Sequence, residues 1–424
     1  MLLPRAALLL ALIVPAVHAQ ENPLPSPFDV ARLQPGEPAW APLLRIRAAE
    51  ADYAGDRMQQ QLYAQARAAR EAWAGAHGAA LRWIDAPFPP RDTVGVLPEG
   101  VRAVPARDLI VERAAETQVV MVNERHHADA DRLLTLDLLA PLYEQDYRYL
   151  ALEALYHTDT ALQQRGYATD QTGYYTDALV FAETIREAIR LGYTLVPYEI
   201  RDGQRGVEGD TLSPQQRRDY AQALNLYSAT LAQDPDARVL VHAGYSHVLE
   251  EATDRWSPMA YYLAEMTGID PLTVDQTRLS ERSAPGYEHP AYRAAAEASL
   301  LASTPVVLID GAGEPLRPAD FAVDLQVFGP RTTYTAGRPD WMAMGGHREP
   351  IEVEVPACAA QACFVEVHTP GEAEAAVPLD RAEADHVATV RAFVPVGHPS
   401  VIRVYSEEGK LLIVQTTTRE GSGE

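Results

Sequence analysis

Between residues 117 and 310, short apolar segments of strand length alternate with longer amphipathic segments of helix length. The strand candidates are residues 118–123, 149–153, 194–199, 239–242, 272–276 and 305–309. One intervening segment, 176–191, places Phe181, Ile185 and Ala188 on one face and is followed by Gly192, while another begins at Ser213 and Pro214. Parallel strands need such long crossovers, so the alternation predicts an α/β fold with a mostly parallel β-sheet flanked by helices.

The flanking regions have different patterns. After a Pro-rich leader, residues 43–83 carry apolar side chains at helical spacing, which predicts an N-terminal helical segment. Beyond Gly346, strand-like segments follow one another without helices, which predicts a small C-terminal antiparallel β domain. The predicted organisation is a signal peptide at 1–19, a leader and helical segment at 20–105, an α/β domain at 106–345 and a β domain at 346–424.

The first residues indicate the compartment. Arg5 precedes an apolar run at 6–15, and Ala19 ends a segment with the small-residue spacing of a signal-peptidase site. We therefore expect cleavage near Ala19 and a periplasmic or secreted protein. The apolar run is shorter than a membrane span, and no later stretch is longer. In an exported chain, Cys358 and Cys363 are predicted to form a local disulfide.

The negative net charge of the chain disfavours anionic binding partners. A formal net charge of −23 opposes binding to phosphate backbones and anionic membranes. We expect a small-molecule or peptide substrate and no nucleic acid. The sequence does not indicate an oligomeric state.

Acidic and imidazole side chains occur where predicted strands end. Glu124 and His126 follow strand 118–123, Glu153 ends strand 149–153, and His247 follows strand 239–242. The carboxyl ends of parallel strands form the crevice in which α/β proteins bind ligands, so these residues are expected to converge. A carboxylate at the end of a buried strand must be paired, metal-bound or protonated. Each residue alone is also compatible with a charged turn, an ion pair or a helix cap.

The ordered set of segments resembles a known superfamily. Its parts are Asn123-Glu124-Arg125-His126, Glu153, residues 173–176, Tyr198-Glu199, Arg218-Asp219 and residues 241–247. Over about residues 107 to 310 this order is similar to the superfamily that joins erythromycin-esterase-like enzymes, ChaN-like haem-binding proteins and Tiki/TraB proteases. Asn123 stands where the first motif usually has glycine.

The resemblance implies two sets of roles. In the Tiki-like branch the motif histidines bind a divalent metal, which implies His126 and His247 as ligands. In the esterase-like branch the first histidine activates water, which implies His126 as the base, with glutamates around it and Arg218 stabilising an oxyanion.

Both sets of roles are chemically reasonable for these residue types. Two imidazoles with Glu124 and Glu153 suit zinc, manganese or cobalt with an open position for water. Without metal, a histidine oriented by a glutamate deprotonates water directly. The sequence has no Gly-x-Ser-x-Gly motif, which disfavours a serine hydrolase. We therefore predict an exported hydrolase of an ester or amide bond, with or without metal.

Two other functions stay open. Tyrosines outnumber phenylalanines 20 to 7, and Tyr174, Tyr198 and Tyr245 fall near the predicted cleft. Because tyrosinate ligates haem iron, a haem- or iron-binding protein of the ChaN-like type is the alternative. A scaffold with a decayed site, in which the β domain binds a partner, is a third possibility, and Asn123 is its one indication.

Overall fold

The structure is a computed structural model that describes residues 24–93, 95–205 and 212–417. The predicted signal peptide, part of the loop that follows Arg201, and the last seven residues, 418–424, lie outside the described residues. Within the described ranges, none of the helices combines the length and the apolar character that crossing a bilayer requires.

The N-terminal segment is helical, as predicted. Its helices are α1 (Pro27–Val30), α2 (Ala41–Ala48), α3 (Arg57–Trp73) and α4 (His77–Asp85). Asp56 caps α3, because its side chain accepts a hydrogen bond of 2.9 Å from the backbone N–H of Gln59. Tyr63 of α3 stacks on Tyr53 with ring centroids 5.4 Å apart. These helices therefore pack through aromatic and small side chains.

The described residues of the α/β domain form one eight-stranded sheet. Its strands are β1 (Arg102–Pro105), β2 (Val119–Glu124), β3 (Tyr147–Leu152), β4 (Thr194–Pro197), β5 (Arg238–Gly244), β6 (Leu272–Leu279), β7 (Val306–Ile309) and β8 (Leu325–Phe328). Their order is β1-β7-β8-β6-β2-β5-β3-β4. From β8 to β4 each neighbouring pair is parallel, and β7 is antiparallel to both of its neighbours.

Helices cover both faces of this sheet. They are α5 (Ala106–Ala114), α6 (Arg132–Glu144), α7 (Leu162–Arg165), α8 (Leu179–Leu191), α9 (Pro214–Ala229), α10 (Met259–Thr267) and α11 (Pro290–Glu297). Val120 and Leu240 pack with α5, α6 and α8 on one face, while Met121 and Val241 pack with α9 and α10 on the other. Burying each such side chain contributes about 1.5–3 kcal/mol. The predicted α/β class is therefore confirmed.

Two helix boundaries follow the sequence signals. Gly192 ends α8 in the left-handed region at φ 101°. Ser213 begins α9 with a reciprocal pair of hydrogen bonds to Gln216, and Pro214 occupies the first helical position.

Several strands differ from their predicted bounds. β1 was not among the predicted strands, and it pairs with β7 in antiparallel fashion. β8 was not among the predicted strands either. Strand β4 ends at Pro197, short of Glu199, since proline has no N–H to continue the ladder. β3 ends at Leu152, so Glu153 is the first residue beyond it.

The C-terminal β domain is antiparallel, as predicted. Two short paired strands, β9 (Tyr334–Thr335) and β10 (Arg338–Pro339), precede it. Its own strands are β11 (Arg348–Glu354), β12 (Ala362–His368), β13 (Asp380–Asp385), β14 (Thr389–Pro395), β15 (Ser400–Ser406) and β16 (Leu411–Thr417). β11 pairs with β14, and a second sheet has the order β13-β12-β15-β16. Cys358 and Cys363 form the predicted disulfide within its core.

The β domain holds helix α3 through charged side chains. Arg47 of α2 joins Glu71 of α3 to Glu383 of β13 at 2.8 and 2.7 Å. Arg381 lies 3.6 Å above the ring of Trp73 and donates a hydrogen bond of 3.1 Å to its carbonyl. The end of α3 is therefore fixed by the C-terminal domain.

Candidate active site

Three neighbouring parallel strands bring the predicted residues to one edge of the sheet. β5 lies between β2 and β3, and Glu124 is level with Gly244 across the ladder. Glu153 follows β3, and His247 lies in the short 3-10 turn that follows β5. Residues far apart in the chain thus meet because their strands are adjacent.

Glu124 and His126 form a hydrogen-bonded pair. The Nδ1–H of His126 donates to Oε1 of Glu124 at 2.8 Å. Glu124 is 2 % exposed, and Arg132 binds both of its oxygens while also contacting Asp129 at 2.7 Å. Burial raises the pKa of Glu124, but the charge of Arg132 and the hydrogen bonds from His126 and His242 together outweigh it and keep the pKa well below its ordinary value. An ionised Glu124 accepts hydrogen bonds only, so Nδ1 of His126 carries the proton and Nε2 is the basic nitrogen.

Two tyrosine rings contact the imidazole of His126. Its imidazole stacks on Tyr175 with centroids 4.2 Å apart and meets the edge of Tyr245 at 4.9 Å. The side chain of His126 keeps 24 % exposure, in contrast to 3 % for its partner Glu124. The ring is therefore oriented by three neighbours and still accessible.

A second cluster surrounds Arg218 of α9. Its guanidinium binds Glu153 and, at 2.6 Å, Glu199. His247 donates from Nδ1 to Asp219 at 2.6 Å, and its Nε2 lies 2.9 Å from Nη1 of Arg218. The structure therefore brings three predicted residues, Glu153, His247 and Arg218, into one ion-pair network.

The two clusters meet at Gly244. A Cβ at this position would lie 2.8 Å from Nε2 of His126 and 3.0 Å from Oε2 of Glu153. The backbone of Gly244, at φ −84° and ψ 141°, is one that any residue adopts. Glycine is therefore needed here for space, and its N–H donates to Oε2 of Glu153.

Charges within the second cluster set its protonation. Burial raises the pKa of Glu153, but His247 and Arg218 outweigh it and lower the pKa to about 2. Burial lowers the pKa of His247, yet Glu153 and Asp219 more than compensate and raise it. Glu153 is therefore a carboxylate at neutral pH, and His247 is a stronger base than an ordinary histidine.

The low pKa of Glu153 predicts a loss of stability in acid. Its folded pKa of about 2 lies below the ordinary 4.5, so its contribution is complete above pH 4.5 and disappears as the pH falls toward 2. The urea midpoint is expected to fall over this window, and to fall less steeply in Glu153→Gln. Parallel slopes for the two proteins would contradict this assignment.

A cavity opens beside His126. It has a volume of about 100 Å³ and lies between the strand ends and the N-terminal helices. Its lining includes His126, His127, Arg132, Tyr174, Tyr175 and Tyr245, and from the N-terminal segment Phe28, Ala66, Arg70 and Trp73. The site is therefore composed of the α/β domain and the helices that precede it.

The tyrosines do not suit haem ligation. Tyr198 is fully buried and donates to the carbonyl of His242 at 2.8 Å, away from the cavity. Tyr174 and Tyr245 line the cavity. Its volume of about 100 Å³ is small beside the roughly 300–1,000 Å³ of ligand pockets, and so it does not accommodate a haem.

The donor set does not fit a divalent metal either. Both oxygens of Glu124 and of Glu153 face arginine or backbone N–H groups. Nε2 of His247 faces a guanidinium, which leaves Nε2 of His126 as the open nitrogen of the predicted ligands. Among the described residues, no three His, Cys, Asp or Glu side chains are arranged to hold a metal ion.

Two residues of the site were not among the predicted catalytic or metal-binding residues, although Asp219 belongs to the Arg218-Asp219 segment of the resemblance. Arg132 lies in the first turn of α6 and reaches back to Glu124, and Asp219 binds His247 as well as the indole N–H of Trp256 at 2.8 Å. Arginine or aspartate in an amphipathic helix is ordinarily solvent-facing. Their roles depend on how α6 and α9 dock, which residue spacing does not specify.

Asn123, the departure from the motif, has a structural role. Its amide donates to the carbonyl of Tyr245 and to Asp275, each at 2.7 Å, and it accepts from the N–H of Gln276 at 2.9 Å. Tyr245 lies in the left-handed region at φ 42°, a strained position for a tyrosine. Asn123 thus holds the turn that places Tyr245 against His126.

No model of a known protein family matches the sequence, and no curated protein matches it significantly. Solved structures with similarity include the type III effector HopBA1, at 14% identity and a TM-score of 0.32, over 57% of this chain and 99% of that chain. Another is RRSP, a MARTX toxin effector domain from Vibrio vulnificus CMCP6, at 17% identity and a TM-score of 0.29, over 54% of this chain and 45% of that one. Likenesses this weak carry no argument about function.

Proposed function

We propose that this protein is a hydrolase of an ester or amide bond in which His126 activates water without a metal. The observation that supports this most directly is the environment of the His126 imidazole. Glu124 accepts from its Nδ1–H, so Nε2 is the basic nitrogen, and Nε2 lies close to Gly244, as does the carboxylate of Glu153. The sequence resemblance to erythromycin-esterase-like enzymes agrees with this role.

The nucleophile is a water molecule between Nε2 of His126 and Oε2 of Glu153. Both atoms are acceptors, so the water donates one hydrogen to each and keeps a lone pair for attack. As the water oxygen bonds to the substrate carbonyl carbon, the hydrogen that it donates to His126 is transferred to Nε2 as a proton. Glu124 stabilises the resulting imidazolium. The proton then moves to the leaving oxygen or nitrogen as its bond to carbon breaks, which regenerates neutral His126.

Arg218 is the cation for the developing oxyanion. Its charge is balanced by Glu153 and Glu199 in the resting site, and its side chain keeps 31 % exposure. His247 is a positioning residue, since its Nδ1–H is fixed by Asp219 and its Nε2 accepts from Arg218. Such preorganised charge stabilises the transition state without reorganisation during the reaction.

A panel of 4-nitrophenyl esters and anilides, assayed before and after dialysis against EDTA, tests the proposal. We expect hydrolysis that survives the chelator. The expected substrate is a small molecule or peptide outside the cytoplasm, in keeping with the signal peptide predicted at 1–19. Activity that EDTA abolishes and zinc, manganese or cobalt restores would overturn the metal-free mechanism, and no hydrolysis across the panel together with a haem absorbance band would favour the binding protein.

Gly244→Ala is expected to lower kcat about a hundredfold, because displacing a catalytic group by roughly 1 Å has an effect of that size. The new Cβ would lie 2.8 Å from Nε2 of His126, so the ring must move away from its place beside Glu153. The measurement is kcat on the best ester of the panel, together with the melting temperature.

Gly311→Ala is the matched control, since a Cβ there meets no heavy atom within 4 Å. It should retain the wild-type rate. A Gly244→Ala variant with wild-type kcat would show that the reaction does not depend on the position of the His126 ring beside Gly244.

A further inference from the structure

Small and aromatic side chains form most of the cavity wall beside His126. On the N-terminal side the wall includes Phe28 of α1 and three alanines of α3, Ala66, Ala69 and Ala72, which recur at every third residue on successive turns. An alanine side chain is a single methyl group, so α3 leaves space at these positions that a larger residue would fill. Ala69 and Phe28 are partly exposed. This part of the wall is therefore hydrocarbon, and small side chains set the width of the cavity.

The cavity adjoins the proposed base. Tyr175, which lines it, stacks on the His126 imidazole with ring centroids 4.2 Å apart, and Tyr174 meets the ring of Tyr175 edge-on at 4.6 Å. His126 lines the cavity as well, and its side chain keeps 24 % exposure. A group in the cavity therefore lies directly beside the residue that is proposed to activate water. Such a group belongs to the part of a substrate next to the scissile bond.

The charged side chains of the wall are paired. Among the described residues that line the cavity, Arg70 pairs with Asp177 at 3.4 Å, and Arg132 pairs with two buried carboxylates. The imidazole of His127 is neutral, since burial and then the charge of Arg125 lower its pKa well below its ordinary value. A charged substrate group would thus find no uncompensated partner to offset its desolvation. A hydrocarbon group has no such cost and gains from burial.

Both the tyrosine loop and α3 are held in place. Gly173 has no room for a side chain, because a Cβ there would overlap the carbonyl oxygen of Ala154, and the N–H of Tyr174 donates to the same oxygen at 3.0 Å. The loop that carries the tyrosines therefore lies against the chain that follows β3. At the end of α3, the ring of Trp73 packs against Arg381 at 3.6 Å. A cavity with walls fixed in this way imposes a sharp limit on the size of the group that it holds.

We propose that this cavity binds a short, uncharged hydrocarbon group of the substrate next to the scissile bond, and that Ala69 and Phe28 set the length of that group. The inference rests on the proposed hydrolase function and specifies its substrate class. A cavity of about 150 Å³ holds the six carbons of benzene, so the volume of about 100 Å³ corresponds to a chain of roughly four carbons.

Two chain-length series test the inference on the wild-type protein. The acyl series runs from 4-nitrophenyl acetate through the butanoate, pentanoate, hexanoate and octanoate to the decanoate, and the alcohol series runs from methyl benzoate to octyl benzoate. In at least one series we expect kcat/KM to rise about fourfold with each CH₂ group up to a tail of roughly four carbons, and then to stop rising. Values that rise to the end of both series would overturn the inference, as would values that never rise in either.

Charged members of each series test whether the group must be neutral. Mono-4-nitrophenyl glutarate carries a carboxylate and is compared with 4-nitrophenyl pentanoate. Benzoylcholine carries a cation and is compared with 3,3-dimethylbutyl benzoate, its neutral isostere. In the series that shows the length limit, kcat/KM should be at least about tenfold lower for the charged compound. An equal or higher value for the charged compound would overturn the inference.

Variants of the wall should move the limit in opposite directions. Ala69→Leu adds three carbons to the wall, so the favoured tail should become shorter by about two carbons, whereas Phe28→Ala should allow a longer tail. Ala79→Leu is the matched control, because Ala79 of α4 is also partly exposed but does not line the cavity. Melting temperatures confirm that each variant is folded. A limit that stays the same in both Ala69→Leu and Phe28→Ala would overturn the inference.

Binding separates failure of the inference from failure of the proposed function. Hexan-2-one has a four-carbon tail on a carbonyl and cannot be hydrolysed, and saturation-transfer NMR detects its weak binding. We expect saturation of its terminal methyl group by the wild type and by Ala79→Leu, and loss of that saturation in Ala69→Leu. This result supports the hydrocarbon site even if no ester is hydrolysed. Absent saturation in the wild type, or equal saturation in all three proteins, overturns the site, and the hydrolase proposal stands if esters are still hydrolysed.

Discussion

Replacing His126 with glutamine is expected to lower kcat by about a hundred- to ten-thousandfold, the usual contribution of a general base. The glutamine amide still donates to Glu124 but has no basic nitrogen to accept a proton from water. The melting temperature should change little, because the side chain of His126 is partly exposed and the buried charge of Glu124 is also neutralised by Arg132. The measurements are kcat on the best ester and the thermal transition.

His398→Gln provides the matched substitution, since His398 is exposed in the β domain, far along the chain from the strand ends. It should retain wild-type turnover. Wild-type turnover in His126→Gln would assign the base to another residue, and His247, with its raised pKa, would be the next to substitute.

Arg132→Leu is expected to reduce the free energy of unfolding by about 3–5 kcal/mol, the cost of removing one partner of a buried ion pair. Arg132 is 2 % exposed and neutralises both Glu124 and Asp129. Leucine would leave two carboxylates buried without a cation. Urea unfolding at pH 7, followed by circular dichroism, measures the effect.

Arg190→Leu is the comparison for this prediction. Arg190 also pairs with a glutamate, Glu187, but its side chain is 68% exposed, so the pair contributes at most about 1 kcal/mol. Adding Glu124→Gln to Arg132→Leu should recover part of the lost stability, because it removes one of the two stranded charges. Equal losses in Arg132→Leu and Arg190→Leu would mean that the Glu124 environment is less desolvated than the structure indicates.

The parallel core could be predicted because its strands are buried on both faces and are therefore continuously apolar, as in residues 119–122. The same reasoning predicted that Glu124 and Glu153 lie at one edge, since they follow such strands. It did not predict β1 or β13, because neither is a continuous apolar run, and β13 carries the charged residues Asp380 and Arg381. Those charges are buried because partners distant in the sequence, such as Arg338 and Glu366, neutralise them.

The sequence predicted which residues form the candidate site, but not which carboxylate each histidine binds. His126 and His247 both follow core strands, and the resemblance to the Tiki-like branch implied that they bind one metal. The structure instead gives each imidazole its own carboxylate, Glu124 or Asp219, and places an arginine beside each pair. Which side chain reaches which depends on the docking of α6 and α9, and this is decided by packing across the whole domain.

The position of β5 has a consequence for biosynthesis. A ribosome makes β2 and β3 first, but in the finished sheet these strands are separated by β5, which begins only at Arg238. A nascent chain that has not reached Gly244 therefore holds both glutamates without the strand that brings them together. The wall formed by Trp73 is completed later still, when Arg381 is synthesised and binds the end of α3. A complete site therefore requires a chain that has been synthesised at least as far as Arg381.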